Sequence, residues 1–557
     1  MAQESPAPTQ DSGPSPAVYL AAAAVALLVC LVFLPVLGNG FVNWDDSLYV
    51  DRTSLGQALA TAFTHLHASG NWHPLSTLSH AVDHAVFGTW PAGHHLTSLI
   101  LHGSSSGLVV LLAAALLGPR AGKGLGRRGL LAAAVATGIG WGLHPLRVEP
   151  VAWVSERKEL LCTLFFLLGI LAYLRHAAAA SGARQRWYLA TLAGFVLALL
   201  AKPMAVSFPV VLLVLDVYPL GRLQRTSLGR VLAEKIPFLL LAATSSIVAF
   251  HAQHAAGAMR PLADVPLYLR LSVALQATVA YLGKTLWPTE LRAFYSYPEF
   301  STAAARHAVK VLLAFRLVAL ASVLGLGWGL KLLRRPWLAA LVAYLAMLLP
   351  VLGLVQVGPQ AMAERYAYLP GIALAVLAGA AFGALWQRTE ASSRFHLASL
   401  LALLVLVTAS LAWLARKQIA VWHDSGSLWT QVLACEPGNV EAYNNRADFF
   451  YRRGDYGQAI DDYSAALDGR MAYAAAHAGK RRAAILNDRA VTFVQVGKLD
   501  AALADESAAI ALQPGRPDYY GNRARMYQHL GRPDEANRDW QRARELGEVS
   551  APRSAGY

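Results

Sequence analysis

The amino-acid sequence predicts an all-α protein that joins a polytopic membrane helical bundle of about eleven spans to a C-terminal α-solenoid. Residues 17–415 contain repeated apolar runs of about twenty residues, each long enough to cross roughly 30 Å of hydrocarbon. Residues 422–557 are instead polar and charged. Within this second part similar strings return along the chain, which is typical of stacked helical repeats.

The composition indicates a membrane protein. The 557 residues are 55% hydrophobic and 15% charged, whereas soluble domains carry roughly 25% charged residues. The net charge of +14 does not indicate nucleic-acid binding, because many basic residues lie in short connections between apolar runs. The three cysteines are far apart and form neither a disulfide framework nor a zinc motif. The first apolar run, 18–37, lacks a basic leader and an A-x-A site, which predicts a retained span.

Alternate connections between the predicted spans are basic, and this pattern sets the expected orientation. By the positive-inside rule these connections lie in the cytoplasm, so the N-terminus is also expected there. The segment 267–288 contains Arg270, Gln276 and Lys284, and we interpret it as an amphipathic or re-entrant helix on the outer side. The expected divisions are a disordered cytoplasmic N-terminus (1–16), a membrane domain (17–421) with a large first outward loop (38–95), outward repeats (422–547) and a flexible tail (548–557). The expected spans are 17–37, 96–118, 129–143, 160–176, 187–201, 204–219, 236–252, 307–330, 337–356, 368–386 and 396–415.

The first outward loop carries two adjacent acids, Asp45 and Asp46, in the string FVNWDDSLYV. Most connections have two to eight residues, and a longer one with no clear helix of its own is usually functional. Beside a membrane, an acidic pair in such a loop is a candidate reaction centre. The structural alternative is that both acids make local hydrogen bonds in a turn.

The other outward connections mix acids and bases. HPLRVEPVAWVSERKE occupies 144–159, and AERYAYLP surrounds Arg365. Charged groups at the mouth of a helical bundle are costly unless they are paired or line a wet cavity. The tryptophans of these connections fit an aromatic belt at headgroup level, but a belt does not account for the charges. The tryptophans interpreted in this way are Trp44, Trp72, Trp90, Trp141, Trp153 and Trp287.

The histidines of the first loop invite a metal interpretation. His80 and His84 are four residues apart, with His73 before them, and zinc accepts such spacing. The string HAVDH lacks the glutamate of an H-E-x-x-H motif, so hydrogen-bonding roles in a cavity are favoured and no metal is predicted from the histidines. The Asp45–Asp46 pair leaves Mg²⁺ or Mn²⁺ open as a cofactor.

Three strings of the C-terminal part align with one another. They begin at Asn445, Asp488 and Asn522, and each has a glycine nine positions later. The interval from Asp488 to Asn522 is 34 residues, the tetratricopeptide period, while the first interval is longer and predicts an insertion around 469–481. Stacked repeats form a concave groove. One interpretation is that this groove holds an acceptor protein, or a partner that brings one, over a reaction site. The other is that the repeats only brace the outer loops.

Several strings together resemble one family. FVNWDDSLYV, WHPLSTLSHAVDHAVFG, HPLRVEPVAWVSERKELL, KPMAVSFPVVLLVLDVYP and AERYAYLP are similar to motifs of the transmembrane and tetratricopeptide-repeat O-mannosyltransferases and their bacterial relatives. These are GT-C glycosyltransferases that use polyprenyl-phosphate sugars. The resemblance covers nearly the whole chain in order and includes the terminal repeats.

The resemblance implies transfer of mannose or another hexose from a polyprenyl-phosphate donor to a hydroxyl of an acceptor protein, at the outer face of a bacterial inner membrane. It implies that Asp45 or Asp46 is the base that takes the acceptor proton. Cations must then stabilise the leaving lipid phosphate, and arginine suits this because its fork is bidentate and stays charged. The implied phosphate-binding residues are Arg157, Lys202, Lys284 and Arg365. The structural alternative for Arg157 is charge balance with Glu149 or Glu156, and that for Arg365 is a pair with Glu364 or another loop acid. The residues expected to line the cavity or orient substrate are His73, His144, Glu149 and Glu364.

Two other functional classes compete with this hypothesis. A non-catalytic scaffold would use the spans only to anchor the repeats for envelope assembly. A transporter or flippase would show paired charges near mid-bilayer or inverted repeats, and the sequence shows neither clearly.

Overall fold

The computed structural model describes residues 14–50, 54–66, 70–118, 125–262, 265–297, 310, 312, 334–355, 358, 360–469 and 475–547. The chain divides into two compact units. One, here called the membrane unit, comprises Met1–Leu291 and Phe300–His423. The other, here called the repeat unit, comprises Arg292–Glu299 and Asp424–Tyr557.

The membrane unit is built from α-helices joined by short 3₁₀ turns. The 3₁₀ turns are Leu34–Gly38, Pro145–Arg147, Val154–Glu156, Pro203–Ser207, Leu349–Val351 and Glu364–Ala367, and a strand, β2, covers Gln360–Met362. The α-helices are α1 (Pro16–Phe33), α2 (Asp46–Val50), α3 (Leu55–Thr61), α4 (Pro74–Phe87), α5 (Pro91–Leu117), α6 (Arg127–Gly142), α7 (Val148–Ala152), α8 (Arg157–Ala178), α9 (Ser181–Ala201), α10 (Phe208–Val217), α11 (Arg222–Arg225), α12 (Leu228–Ala233), α13 (Ile236–Ala255), α14 (Leu267–Leu286), α15 (Arg334–Leu348), α16 (Gly371–Ser392) and α17 (Arg394–Val421).

Among the described residues, six helical segments are long and apolar enough to cross a membrane. They are Pro16–Gly38, Pro91–Leu117, Val154–Ala178, Leu228–Ala255, Gly371–Ser392 and Arg394–Val421, and each contains or overlaps a predicted span. The predicted span 129–143 is the first half of a pair of helices bent by 61°. The spans 204–219 and 337–356 correspond to shorter apolar helices, Pro203–Val217 and Pro336–Val351.

The predicted count of eleven spans is not confirmed. The span predicted at 187–201 falls on α9, which is helical but is not among the six apolar segments. The span predicted at 307–330 lies outside the described residues apart from positions 310 and 312. The segment interpreted as amphipathic forms α14, and the buried Arg270 in its first turn donates to the carbonyls of Val265, Arg260 and Leu354.

The expectation that the first loop has no clear helix of its own is wrong. The loop contains α2, α3 and α4, and α5 already begins at Pro91. Helix α4 starts with Pro74, whose missing N–H costs nothing at a first helical position. Its Ser76, His80 and Asp83 are buried, so one polar face of α4 is turned into the protein.

Small residues bring the long helices together. Helices α8 and α9 meet at Gly169 and Gly194, where a Cβ on Gly194 would lie only 2.9 Å from the Gly169 Cα. Without a hydrophobic driving force between helices in lipid, such close backbone contact is a main source of helix association. A larger side chain at Gly194 would therefore push α9 away from α8.

The repeat unit is a stack of helix pairs. Its helices are α18 (Ser425–Cys435), α19 (Val440–Arg452), α20 (Tyr456–Asp468), α21 (Ala475–Gln495), α22 (Leu499–Leu512), α23 (Pro517–His529) and α24 (Pro533–Glu545), and a strand, β1, covers Tyr295–Ser296. The glycine of each predicted motif turns the chain between paired helices with positive φ, at +82° for Gly454, +73° for Gly497 and +68° for Gly531. Part of the predicted insertion, 475–481, forms the first turns of α21, and 470–474 lie outside the described residues.

One ion pair recurs inside each complete repeat. Arg446 binds Asp462 through both Nε and Nη2 at 2.7 Å, and the same geometry joins Arg489 to Asp505. Arg523 and Asp539 form the third pair, at 2.7 and 2.9 Å. Because both contacts in each pair are charge-assisted and parallel, the pair fixes one helix of the repeat against the other.

Candidate active site

Asp46 fastens the first loop to the 144–159 segment. It is the first residue of α2 and is buried. Its Oδ2 accepts a hydrogen bond from Val42 N at 2.9 Å, and its Oδ1 accepts from Ser155 N at 2.9 Å and from Ser155 Oγ at 2.8 Å. Burial raises the pKa of Asp46 to about 6, although these hydrogen bonds act in the opposite direction. Both oxygens are therefore engaged in holding the loop.

Asp45, in contrast, is a half-buried carboxylate that interacts electrostatically with three charged residues, Lys158, Glu156 and Arg365. Burial raises the pKa of Asp45 above its usual value. The cations Lys158 and Arg365 lower this pKa, and the carboxylate of Glu156 raises it. A carboxyl that is accessible, partly desolvated and near cations has the properties of a general base.

Arg365 stands at the centre of these charges. Its Nη1 and its backbone N–H both donate to Glu149, the latter at 2.9 Å, and its Nε lies 3.2 Å from Glu156 Oε1. The guanidinium lies 5.0 Å from the centroid of the Trp153 ring and 5.9 Å from that of Trp44, and these two rings stack on each other at 4.3 Å. Burial alone would lower the pKa of Arg365, but the two glutamates raise it, so the charge is retained.

Two lysines complete the arrangement. Lys202 Nζ lies 2.6 Å from Glu159 and 3.2 Å from Glu156, and Lys158 Nζ lies 3.0 Å from Glu156. Lys158 also lies over the rings of Tyr49 and Trp153. Burial opposes a charged Lys202, but the two glutamates raise the pKa of Lys202 above its usual value. We call Glu149, Glu156, Lys158, Glu159, Lys202 and Arg365 the acid–base cluster.

Arg157 belongs to a different group. It is fully buried, its Nη1 lies 2.5 Å from Asp83 Oδ2, and its Nη2 donates to the His94 carbonyl at 2.7 Å. The acidic partner of Arg157 therefore lies on α4 and is neither Glu149 nor Glu156. A guanidinium with this pairing ties α4 and α5 to the start of α8.

The other residues predicted for the site are not part of the acid–base cluster. His144 accepts from Leu146 N through Nδ1 at 3.2 Å, and its Nε2 lies 3.1 Å from the Thr285 carbonyl, so it connects the 144–159 segment to α14. Lys284 donates to the carbonyls of Thr289 and Glu290, just beyond the end of its own helix. Glu364 is buried beside Arg365 in the chain, and His73 is buried at the start of α4.

The sequence interpretation missed Lys158, Glu159 and Asp83. Lys158 and Arg157 are neighbours at the start of α8, where successive side chains point about 100° apart, so one reaches the cluster and the other reaches α4. The aromatic-belt interpretation is wrong for Trp141 and Trp153, which are 1% exposed and pack within the unit. It suits Trp90 and Trp287, which are 60% and 72% exposed.

An apolar cavity of about 130 Å³ runs between α5, α8, α10, α15 and α16. Its lining includes Leu369 and Ile372, four and seven residues after Arg365. It continues to Leu117, the last residue of α5, and to Pro219, which follows the end of α10. One end of the cavity is therefore lined by residues that closely follow Arg365 in the chain, and the cavity extends from there along the helices.

The described residues contain no group of three or more His, Cys, Asp or Glu side chains placed to hold a metal ion. Three hydrogen bonds already occupy Asp46, so of the adjacent acids it is Asp45 that retains unused acceptor capacity.

The fold and site thus define a helical membrane protein with a buried acid–base cluster, followed by tetratricopeptide repeats. The family model for the tetratricopeptide repeat matches residues 428–461. Comparison with curated proteins then gives particular relatives. The chain is 32% identical to the protein O-mannosyl-transferase TMTC2 of Mus musculus over 166 residues, which are 29% of this chain and 18% of that protein.

Two further relatives have the same kind of name. The protein O-mannosyl-transferase Tmtc1 of Drosophila melanogaster is 25% identical over 504 residues, 73% of this chain and 55% of the relative. TMTC4 of Mus musculus is 36% identical over 106 residues, 18% of this chain and 14% of the relative. The aligned parts span from 14% to 55% of these three relatives. The resemblance predicted from the sequence is confirmed, and the names of the relatives support a membrane glycosyltransferase.

Proposed function

We propose that this chain transfers mannose or another hexose from a polyprenyl-phosphate donor to a hydroxyl of an acceptor protein on the outer side of a bacterial inner membrane. The observation that carries the proposal is Asp45, a half-buried carboxylate beside Lys158 and Arg365. A base next to cations, at one end of an apolar bundle, matches a reaction that needs both proton removal and phosphate stabilisation.

In the proposed reaction, the acceptor oxygen attacks the anomeric carbon of the sugar while Asp45 takes the hydroxyl proton. A new carbon–oxygen bond forms, the bond between the anomeric carbon and the phosphate oxygen breaks, and the lipid phosphate leaves with the electron pair. Asp46 acts indirectly, because its bonds to Val42 and Ser155 hold the loop that presents Asp45.

The leaving phosphate needs a cation that is able to change partners. Within the described residues, Arg365 and Lys202 each pair with two glutamates, whereas Lys158 pairs with Glu156 alone. Lys158 is therefore the cation most easily released to a phosphate, and Arg365 supports it from behind. Arg157 is committed to Asp83, so it serves the site through the fold.

The apolar cavity supports a lipid-linked donor. Its lining is almost wholly aliphatic, from Leu369 near Arg365 to Leu117 at the far end of α5. An isoprenoid chain placed there would remove its apolar surface from contact with polar groups while leaving its phosphate near the cluster. The repeat unit then serves to recruit the acceptor protein, since stacked helix pairs offer extended binding surfaces.

The test uses the purified full chain in lipid nanodiscs. It is incubated with a panel of polyprenyl-phosphate sugars and Ser/Thr-containing peptides, and glycopeptides are detected by mass. We expect transfer with at least one donor, its loss in Asp45→Asn, and a raised donor KM with a smaller effect on kcat in Lys158→Gln. Glu390→Gln is the matched control, because Glu390 pairs with Arg128 at the far end of α16. Full transfer by Asp45→Asn would refute the assignment of the base.

The proposed orientation has its own test. Ser47 is exposed next to the two acids. In a variant without the three native cysteines, Ser47→Cys should react with a membrane-impermeant maleimide added outside spheroplasts. Labelling only after the membrane is broken would place this loop in the cytoplasm and contradict transfer on the outer side.

A further inference from the structure

The repeat unit contains a run of four carboxylates, of which three form no ion pair among the described residues and the fourth, Asp518, pairs with Arg516. Asp448 lies on α19, Asp488 on α21, Glu506 on α22 and Asp518 on α23. Each interacts electrostatically with its neighbour in this set, Asp448 with Asp488, and Glu506 with both Asp488 and Asp518. We call these four residues the acidic seam. Like charges that interact in this way destabilise a fold unless a proton or a cation compensates them.

Glu506 is the most unusual member of the seam. It stands nine residues after the turn glycine of its repeat, and the two equivalent positions hold Tyr463 and Trp540. Its side chain is 0% exposed, and neither carboxylate oxygen has a hydrogen-bond partner among the described residues. A buried carboxyl without hydrogen-bond partners, at a position where the other repeats hold an aromatic ring, is unfavourable for folding. Such a cost indicates a use other than packing.

The charges that face Glu506 are mostly negative. Burial and the carboxylates of Asp518, Asp488 and Asp505 together raise the pKa of Glu506 to about 8, although Arg523 lowers it. Burial and the charge of Asp448 likewise raise the pKa of Asp488 to about 6, although Asn487, Arg481 and Arg516 lower it.

The nearby arginines are already ion-paired, and of these only Arg516 is paired with a residue of the seam. Arg481 pairs with Glu441, Arg516 lies 2.5 Å from Asp518, and Arg523 lies 2.7 Å from Asp539. The other seam carboxylates receive only neutral donors, Tyr463 Oη to Asp448 at 2.5 Å and Asn487 Nδ2 to Asp488 at 3.0 Å. The seam therefore keeps a surplus of negative charge.

The surplus favours an organic cation. No group of three or more His, Cys, Asp or Glu side chains in the described part of the chain is placed to hold a metal ion. Asp448 and Asp488 are half-exposed, which gives a ligand access. One turn before Asp448, the buried Asn444 has an Oδ1 without a hydrogen-bond partner among the described residues, which adds a neutral acceptor on the same helix face. Carboxylates and an amide oxygen together match the five donors of a guanidinium.

We propose that the acidic seam binds the guanidinium of an arginine in an extended segment of a partner polypeptide, with Glu506 and Asp488 as its carboxylate ligands. This gives the repeat unit a preference for basic segments, which the transfer reaction alone does not require. The binding involves no sugar donor, so it is measured independently of the proposed function.

Isothermal titration calorimetry on the full chain in nanodiscs tests the proposal. The probes are acetyl-Gly-Ser-Thr-Arg-Thr-Ser-Gly-amide and the same peptide with norleucine in place of arginine. We expect the arginine peptide to bind at least about tenfold more tightly, in line with a charge-assisted bidentate contact. At about pH 7 binding should release up to about 0.9 proton, because Glu506 with a pKa of about 8 starts protonated and must ionise. Proton release is read from the difference in binding heat between phosphate and Tris buffers.

Glu506→Gln keeps the shape of the protonated side chain and should abolish both the proton release and the preference for arginine. Asp488→Asn, at a half-exposed position, should weaken the preference even if Glu506→Gln disturbs folding. Glu545→Gln, on the exposed end of α24, is the matched control and should bind as the parent does. Equal binding of the two peptides, no binding of either, or an unchanged preference in both seam variants would overturn the proposal. Loss of transfer with intact arginine binding would count only against the proposed reaction.

Discussion

The two adjacent acids of the first loop should respond in opposite ways to the same substitution. In Asp46→Asn a carboxylate that accepts three hydrogen bonds is replaced by an amide with one acceptor oxygen. If that oxygen keeps the two bonds from Ser155, the amide NH₂ faces Val42 N–H, and one buried donor loses its partner. Asp45→Asn disturbs no such set, because Asp45 is half-exposed.

The magnitude for Asp46→Asn follows from this geometry. Hydrogen bonds to a charged acceptor contribute roughly 1.5–3 kcal/mol each, neutral ones roughly 0.5–1.5, and an unsatisfied buried donor costs roughly 1–3. Part of this loss is offset because burial raises the pKa of Asp46 to about 6, which means that the buried charge is itself unfavourable. A net loss of about 2–4 kcal/mol remains. Ser155→Ala removes one hydrogen bond to this carboxylate and should cost about 1.5 kcal/mol, at the low end of the range for a charged acceptor.

The assay combines thermal unfolding in nanodiscs with donor turnover. Asp46→Asn should lower the melting temperature by several degrees, with Ser155→Ala between it and the parent. Asp45→Asn should melt as the parent does and lose roughly 10²–10⁴-fold in kcat, the usual contribution of a general base. Parental turnover should rise with pH through the raised pKa of Asp45, because the base acts when it is deprotonated. A parent-like melt for Asp46→Asn, with destabilisation by Asp45→Asn instead, would refute the division of roles.

Three further substitutions test the surrounding structure. Arg365→Met should lower the melting temperature strongly, because it leaves two buried glutamates without their guanidinium at a cost of about 3–5 kcal/mol, and a parent-like melt would contradict the cluster. Glu506→Gln should slow the hydrogen exchange of α22 above about pH 8. The folded carboxyl of Glu506 has a pKa of about 8, so the stability of the parent is highest below about pH 4.5 and falls by roughly 4–5 kcal/mol as the pH rises to 8. The same pH profile in the variant and the parent would argue against this burial. Arg489→Gln and Asp505→Asn should each cost about 1–2 kcal/mol in urea unfolding, and the double variant little more, whereas full additivity would show that the pair is not coupled.

The sequence was sufficient for features that depend on local periodicity. A run of about twenty apolar residues predicts a membrane helix, because the bilayer leaves the backbone no other hydrogen-bond partner. The repeats were equally readable, since Gly454, Gly497 and Gly531 must turn with positive φ between paired helices. The spans near 187–201 and 204–219 were harder to identify as membrane spans. Their helices are shorter or more polar than the six candidate spans, and a helix buried among others need not be apolar along its whole length.

Pairing between charges could not be predicted, because it depends on which helices meet. Nothing in the string SERKE separates Arg157 from Lys158, yet one binds Asp83 on α4 and the other Glu156. The same limit applies to Trp153, which sequence placed at headgroup level and which stacks inside the unit on Trp44. The adjacent acids Asp45 and Asp46 were recognised as a pair, but their different hydrogen-bonding follows only from the position of Ser155.

The charge balance of the acid–base cluster links donor binding to proton removal. Its three cations face three glutamates, and Asp45 adds a fourth carboxylate, so the site has no spare positive charge for a phosphate. An entering lipid phosphate must therefore take a cation from a carboxylate, and Lys158, with a single acid partner among the described residues, is the easiest to release. Withdrawing Lys158 from the neighbourhood of Asp45 while adding a phosphate charge raises the pKa of Asp45 further, because both changes disfavour the carboxylate. The base thus gains affinity for the acceptor proton at the moment when the leaving group is in place.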